Sequence, residues 1–254
     1  MTPDTLVILT GASRGLGEAV AARYLADGAF VLGLSRGQSG ALAAGPAGGL
    51  EQWRVDLADP APVAARLSEW LARIPCGAGG RVPPRVRLIH NAALLSDPGD
   101  VAQADAADMA TSLRIGLEAP VVLTAAFLRA TAAWSAADRR VLFVSSGLGR
   151  RPMAGSAAYC AQKAGLDHFA RALALEEGAK ANGAKVAAVA PGVIDTDMQR
   201  QLRGADVGRF AEQARFSELH RSGSLDSPAA AAGKLVALLE RGDYGAKPVT
   251  DVRE

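Results

Sequence analysis

Short apolar runs of strand length recur along the chain, each followed by a longer stretch of helical periodicity, almost to its end. The strand candidates are residues 6–10, 30–35, 52–55, 86–90, 141–145, 186–190 and 248–252. The helical patterns cover 15–26, 60–73, 106–133, 157–180 and 227–239. A strand covered on both faces is apolar continuously rather than at alternate positions, so this order demands a parallel sheet with helices on both sides. Crossovers between parallel strands are right-handed. The expected architecture is therefore α/β, a doubly wound, mostly parallel sheet of seven strands. A chain of 254 residues accommodates this as a single domain, 1–254, whose core needs no disulfide.

The first strand runs into Thr10-Gly11-Ala12-Ser13-Arg14-Gly15-Leu16-Gly17 before the first helix begins. Glycines let such a turn bend and let backbone N–H groups approach a pyrophosphate on the positive helix N-terminus. That context makes the sheet Rossmann-type, and the lack of a Gly-Lys-Ser/Thr ending excludes a P-loop. An NAD site would carry an Asp or Glu after the second strand, for the ribose hydroxyls. Here Ser35-Arg36 stands in that place and Arg14 lies within the turn. Two guanidiniums can flank a 2′-phosphate, so NADP(H) is the expected cofactor. After the third strand comes Asp56-Leu57, where Asp56 could accept from the adenine amino group or cap the next helix.

Tyr159 and Lys163 are four residues apart on a predicted helix, and Ser146 lies thirteen residues before the tyrosine. Positions i and i+4 share one helix face, so phenol and ammonium point into the same space. At ~5 Å and an effective dielectric of ~20, their attraction favours tyrosinate by about 3 kcal/mol. That would bring the phenol from about 10 towards 8, within reach of proton exchange with an alcohol or carbonyl near neutral pH. The spacing alone is common on amphipathic helices; its company is what gives it weight.

Taken as a set, these residues resemble the short-chain dehydrogenase/reductase family. The resemblance runs from Leu6 to about Leu239 through Thr10-Gly11-x3-Gly15-x-Gly17, Asn91-Ala92, Ser146, Tyr159-x3-Lys163 and Pro191-Gly192-Val193-x-Asp195-Thr196. Within the family, Leu34-Ser35-Arg36 and Gly155-Ser156-Ala157-Ala158-Tyr159-Cys160 are similar to phrases in bacterial benzil reductases and the related sepiapterin reductases. The resemblance implies that Tyr159 exchanges the proton with the carbonyl oxygen and that Ser146 hydrogen-bonds the same oxygen. It implies that Lys163 holds the nicotinamide ribose and lowers the Tyr159 pKa. Asn91 and Ala92 would line the ribose through their backbone, and Pro191, Gly192, Val193 and Thr196 would hold the nicotinamide end.

The chain departs from the family pattern in two places. His90-Asn91-Ala92-Ala93 replaces the usual Asn-Asn-Ala-Gly, and His90 is expected to be a strand residue with a satisfied ring. Gly116 stands where the family carries an asparagine that helps hold a water linking the lysine to solvent. A glycine there is expected to leave a cavity able to admit a second water, and to loosen the helix. The expected activity is NADPH-dependent reduction of an aromatic or dicarbonyl-like small molecule. Oxidation of a secondary alcohol by the same residues and a catalytically weak NADP(H) sensor are the alternatives.

Composition narrows the field further. Apolar residues make up 49% of the chain and charged residues 21%, which is globular rather than disordered. The formal charge is +2 with scattered arginines, arguing against a nucleic-acid surface. Two cysteines, Cys76 and Cys160, and the distant His90, His168 and His220 offer no metal-ligand spacing. No stretch looks close to the ~20 apolar residues of a membrane span, and a cytoplasmic setting is the default. Loops 37–50 and 75–84 are expected to be surface connections. Residues 196–224, with Met198, Phe210 and Phe216, would overhang the ligand edge of the sheet, either as a mobile substrate lid or as a helical hairpin packed on the core. Leu94, Leu95 and Met153 are expected to shape the pocket with them. The Ala/Leu faces of the two longest helices, together with the family resemblance, imply a homodimer or homotetramer.

Overall fold

Seven strands form one parallel sheet in the order β3-β2-β1-β4-β5-β6-β7. They are β1 (Thr5–Thr10), β2 (Phe30–Ser35), β3 (Gly49–Arg54), β4 (Arg85–His90), β5 (Asp138–Val144), β6 (Lys185–Ala190) and β7 (Val249–Asp251). This computed structural model describes residues 3–45, 48–74 and 81–254, so Cys76 and the start of the 75–84 loop lie outside the described residues. Successive strand residues face opposite sides. Val7, Leu9 and Val31 pack beneath α1 (Gly15–Ala26) and α8 (Pro228–Glu240), which contribute Val20 and Leu235. Ile8, Leu88 and Val141 face the other layer, where α2 (Pro60–Ala72), α4 (Ala119–Ala130) and α5 (Ala157–Gly178) supply Leu67, Leu123 and Leu166. The strand order reverses between β1 and β4, where Thr10 pairs with His90. Chains leaving that point diverge to opposite faces and open a crevice at the carboxyl ends of the strands.

Three expectations need correction. First, β3 begins at Gly49, and the 37–50 loop is not simply a surface connection. Ser39 and Leu42 are buried, and the Gln52 carboxamide both accepts from the Ser39 N–H (2.8 Å) and donates to its carbonyl (3.0 Å). Second, the helix expected over 106–133 ends at Ala130 and carries a π-helical turn within it. It divides into α3 (Ala106–Leu113), a π-helical turn (Arg114–Glu118) and α4. Pro120 has no N–H to give the carbonyl four residues back, which belongs to Gly116, and the Ala119 N–H bonds Arg114 instead. Third, residues Ala106–Ala130 are by length and composition alone apolar enough to cross a membrane, contrary to the sequence expectation. Half of that stretch is buried, and α4 packs on α2 and β4 as a core helix does.

The 196–224 segment folds as α6 (Asp197–Arg203) and α7 (Gln213–Arg221). Leu202, Phe210 and Phe216 join Leu95, Met153 and Tyr159 in a small apolar cluster above the sheet edge.

Candidate active site

The crevice at the carboxyl edge is a cleft of about 670 Å³, within the range of small-molecule and cofactor sites. Its wall includes Gly11, Ser13, Arg14, Gly15, Leu16, Ser35, Arg36, Asp56, Leu57, Asn91, Ala92, Ser146, Tyr159, Lys163, Pro191, Gly192, Val193 and Thr196. Of the expected catalytic and cofactor-binding residues Gly17 alone is off that wall, as are Leu95 and Phe210 among those expected to shape the pocket. A Cβ on Gly17 would collide with the Gly11 carbonyl, so that glycine lets α1 close onto the turn.

The turn itself is built by conformation and by a latch. Gly11 has φ +72° and Gly15 φ +57°, a region that L side chains rarely adopt. The Asn91 amide donates to the carbonyls of Thr10 (3.2 Å) and Gly11 (3.1 Å). The Thr10 hydroxyl accepts from the N–H groups of Asn91 (3.0 Å) and Ala92 (3.1 Å). The Asn91 side chain therefore fastens two loops together and leaves its backbone beside the cleft.

At the end of β2, the Ser35 hydroxyl is buried without a partner. Arg36 beside it is exposed and makes no ion pair among the described residues. An unpartnered hydroxyl and a free guanidinium, with no carboxylate in that place, fit a phosphorylated ribose. Arg14, expected beside the same phosphate, is on the cleft wall with its guanidinium held by Asp197 at 2.6 Å. Asp56 accepts from the Ala58 N–H at 2.9 Å, and the residue at the start of α2 is Asp59, so Asp56 shapes the turn before the helix.

At the other end, Tyr159 and Lys163 project from the first turns of α5 with the ammonium 5.5 Å from the phenol ring centre. Lys163 is fully buried and donates to the Val144 carbonyl at 2.7 Å. Burial draws its pKa down to about 8, against a smaller pull upward from Asp167. Tyr159 departs from expectation, because burial pushes it up to about 12 despite an opposing hydrogen bond with Ser146. Desolvation of the phenolate outweighs the opposing pull of the Ser146 hydrogen bond. The Ser146 hydroxyl caps the short turn that follows it, accepting from the Leu148 N–H at 3.1 Å.

Both departures from the family pattern have structural answers. Burial drives His90 down to about 3, so the ring is neutral; it stacks on Phe143 and one nitrogen meets Thr124 at 2.9 Å. The other nitrogen has no partner, so the ring is only half satisfied. At Gly116 no cavity remains. The Gln162 carboxamide lies where a side chain at 116 would begin, donating to Leu94 (3.0 Å) and Ser112 (2.8 Å). Sequence reading missed Gln162 because its partners are 50 and 68 residues away. It also missed Leu148, Arg151, Asp251 and Arg253 of the cleft wall, none of which belongs to a motif.

Comparison with known proteins agrees with this geometry. The model of the family described as short chain dehydrogenase matches residues 5–206. A benzil reductase ((S)-benzoin forming) of Bacillus cereus is 34% identical over 245 residues, covering 94% of this chain and 95% of its own. Mouse (Mus musculus) sepiapterin reductase is 30% identical over 250 residues, 93% of this chain and 92% of its own. A crystal structure from Beutenbergia cavernae, solved with NADP bound at low occupancy, superposes with a TM-score of 0.75 at 26% identity. It covers 98% of this chain and 94% of that one.

Proposed function

This chain belongs to the short-chain dehydrogenase family of oxidoreductases, and on that premise we propose that it is an NADPH-dependent carbonyl reductase. Its substrate would be a small aromatic or dicarbonyl-like molecule, in keeping with the benzil reductases it resembles. The observation that carries this reading is a neutral, buried phenol, Tyr159, beside Ser146 in the same cleft as the glycine turn. A phenol well above neutral pH holds its proton until a developing alkoxide takes it, which suits a general acid for reduction.

The bound nicotinamide supplies the hydride. Gly11, Ser13, Gly15 and Leu16 would receive the pyrophosphate at the start of α1, Ser35 and Arg36 the phosphorylated ribose, and Pro191, Gly192, Val193 and Thr196 the nicotinamide end. The Ser146 hydroxyl and the Tyr159 phenol would both face the substrate carbonyl oxygen, where charge builds during reduction. Tyr159 gives its proton to that oxygen. The Lys163 ammonium, with one hydrogen fixed on Val144, keeps others for the ribose and for restoring the phenol.

The test is Tyr159→Phe. Reduction of a test diketone should fall by at least about 100-fold, the lower range for a lost general acid. Fluorescence titration should still show NADPH binding, and more tightly than NADH. Unchanged turnover overturns the assigned acid; preference for NADH overturns the cofactor.

A further inference from the structure

Five arginines line the cleft: Arg14, Arg36, Arg151, Arg215 and Arg253. Three have a carboxylate. Arg14 is held by Asp197 (2.6 Å), Arg215 by Glu212 (3.2 Å), and Arg253 by Asp251 (2.6 Å). Arg36 and Arg151 make no ion pair among the described residues, and they stand at different parts of the wall. Arg36 follows the Ser35 hydroxyl at the end of β2. Arg151 belongs to the loop between Ser146 and α5, with Leu148 and Met153 as its neighbours on the wall.

The Arg151 side chain is exposed, and its head group lies close to Gly147. Its Nη2 lies 3.3 Å from where a Cβ on Gly147 would stand. Gly147 follows Ser146 directly in the chain, so the guanidinium stands beside the backbone next to the serine. With Lys163, six basic side chains line the cleft against three carboxylates, Asp56, Asp197 and Asp251. A cleft with that balance attracts and concentrates anions.

We propose that Arg151 is a specificity-determining residue that binds an anionic group on the substrate, and that this chain favours oxo acids whose carboxylate lies a few bonds from the reduced carbonyl. The inference rests on the reductase reading and narrows its substrate class. A carbonyl oxygen held at Ser146 and Tyr159 leaves the rest of the molecule between Leu148, Met153 and Phe216. A carboxylate two or three carbons further along then meets the guanidinium, whose two parallel N–H groups match it.

The probes are 4-oxo-4-phenylbutanoate and its methyl ester, which differ in the charge and little else. With NADPH, the acid should have a kcat/KM about tenfold above that of the ester, the scale of one charge-assisted hydrogen bond. Arg151→Gln should erase that preference through KM for the acid while leaving the ester within about twofold, and Arg151→Glu should invert it. Equal kcat/KM for acid and ester in the unaltered protein, or an equal loss for both in Arg151→Gln, overturns the proposal. Calorimetric titration of both compounds into the NADP⁺-loaded protein separates this from the parent reading. Tighter binding of the acid without turnover of either compound sinks the reductase assignment and supports Arg151; equal binding sinks Arg151.

Discussion

Lys163 holds a charge in a place that penalises it. Its folded-state pKa is about 8 against an ordinary 10.5, so below pH 8 the folded chain carries a dry ammonium that the unfolded chain keeps in water. The sign follows directly: folding is penalised at neutral pH, and the penalty fades as pH rises from about 8 to 10.5, where the unfolded state alone still binds the proton. A shift of that size is on the order of 3 kcal/mol, less about 1 for the hydrogen bond to Val144. Lys163→Met in the nucleotide-free protein should therefore raise the melting temperature by several degrees at pH 7 and by little at pH 10.5, while turnover is lost. Calorimetry at the two pH values checks it; a lower melting point at pH 7 contradicts the burial argument. Sequence spacing correctly put Tyr159 and Lys163 on one face. It could not weigh burial against attraction, because neither residue's exposure is written in its neighbours. The Arg14 ion pair was hidden for a related reason, since its partner Asp197 lies 183 residues away.

Among the elements, the strands and long helices were legible because a two-sided sheet needs continuous apolar runs, and those are local. The break between α3 and α4 was not. The Ala/Leu pattern runs through it, and the π-helical turn shows only in the bond from the Ala119 N–H to Arg114. Gly116 also has a packing role that its own sequence context hides: it makes room for Gln162, which ties α5 to Leu94 and Ser112. Restoring an asparagine at 116 is thus not a repair. Gly116→Asn should cost about 1–3 kcal/mol by overpacking and lower turnover by loosening the Leu94 wall. Gly116→Asn with Gln162→Ala should recover at least about 1 kcal/mol relative to additivity, since the two positions share one space. Urea denaturation of the two single variants and the double measures this coupling; additive losses would show that the side chains do not compete.

At the scale of the whole molecule, the sheet separates two kinds of chemistry. Its carboxyl edge carries the cleft, while nearer the amino end of β4 the buried Arg87 bridges Glu240 of α8 (2.7 Å) and Asp138 of β5 (3.1 Å). Tyr24 of α1 completes that network by donating to Glu240 at 2.7 Å. The apolar run read for β4 did not show this, because Arg87 is tolerable in a core only through partners on two other elements. The outer surface bears on assembly. Leu123, Phe127, Leu166 and Leu173 of α4 and α5 are spent covering the sheet, yet Leu175 of α5 is 79% exposed. Light scattering is expected to give a dimer or tetramer of the 26.0 kDa chain, with the α4 and α5 faces paired; a monomer rejects that arrangement.

The Asn91 latch has one further consequence. The bend proposed to receive the pyrophosphate and the stretch proposed to lie beside the ribose are already fastened to each other in the free protein. A dinucleotide arriving there has little chain to immobilise, so most of its contact energy survives as affinity instead of being consumed in ordering loops. Cutting that tie would weaken the grip on both halves of the nucleotide at once, although the asparagine amide need never touch it.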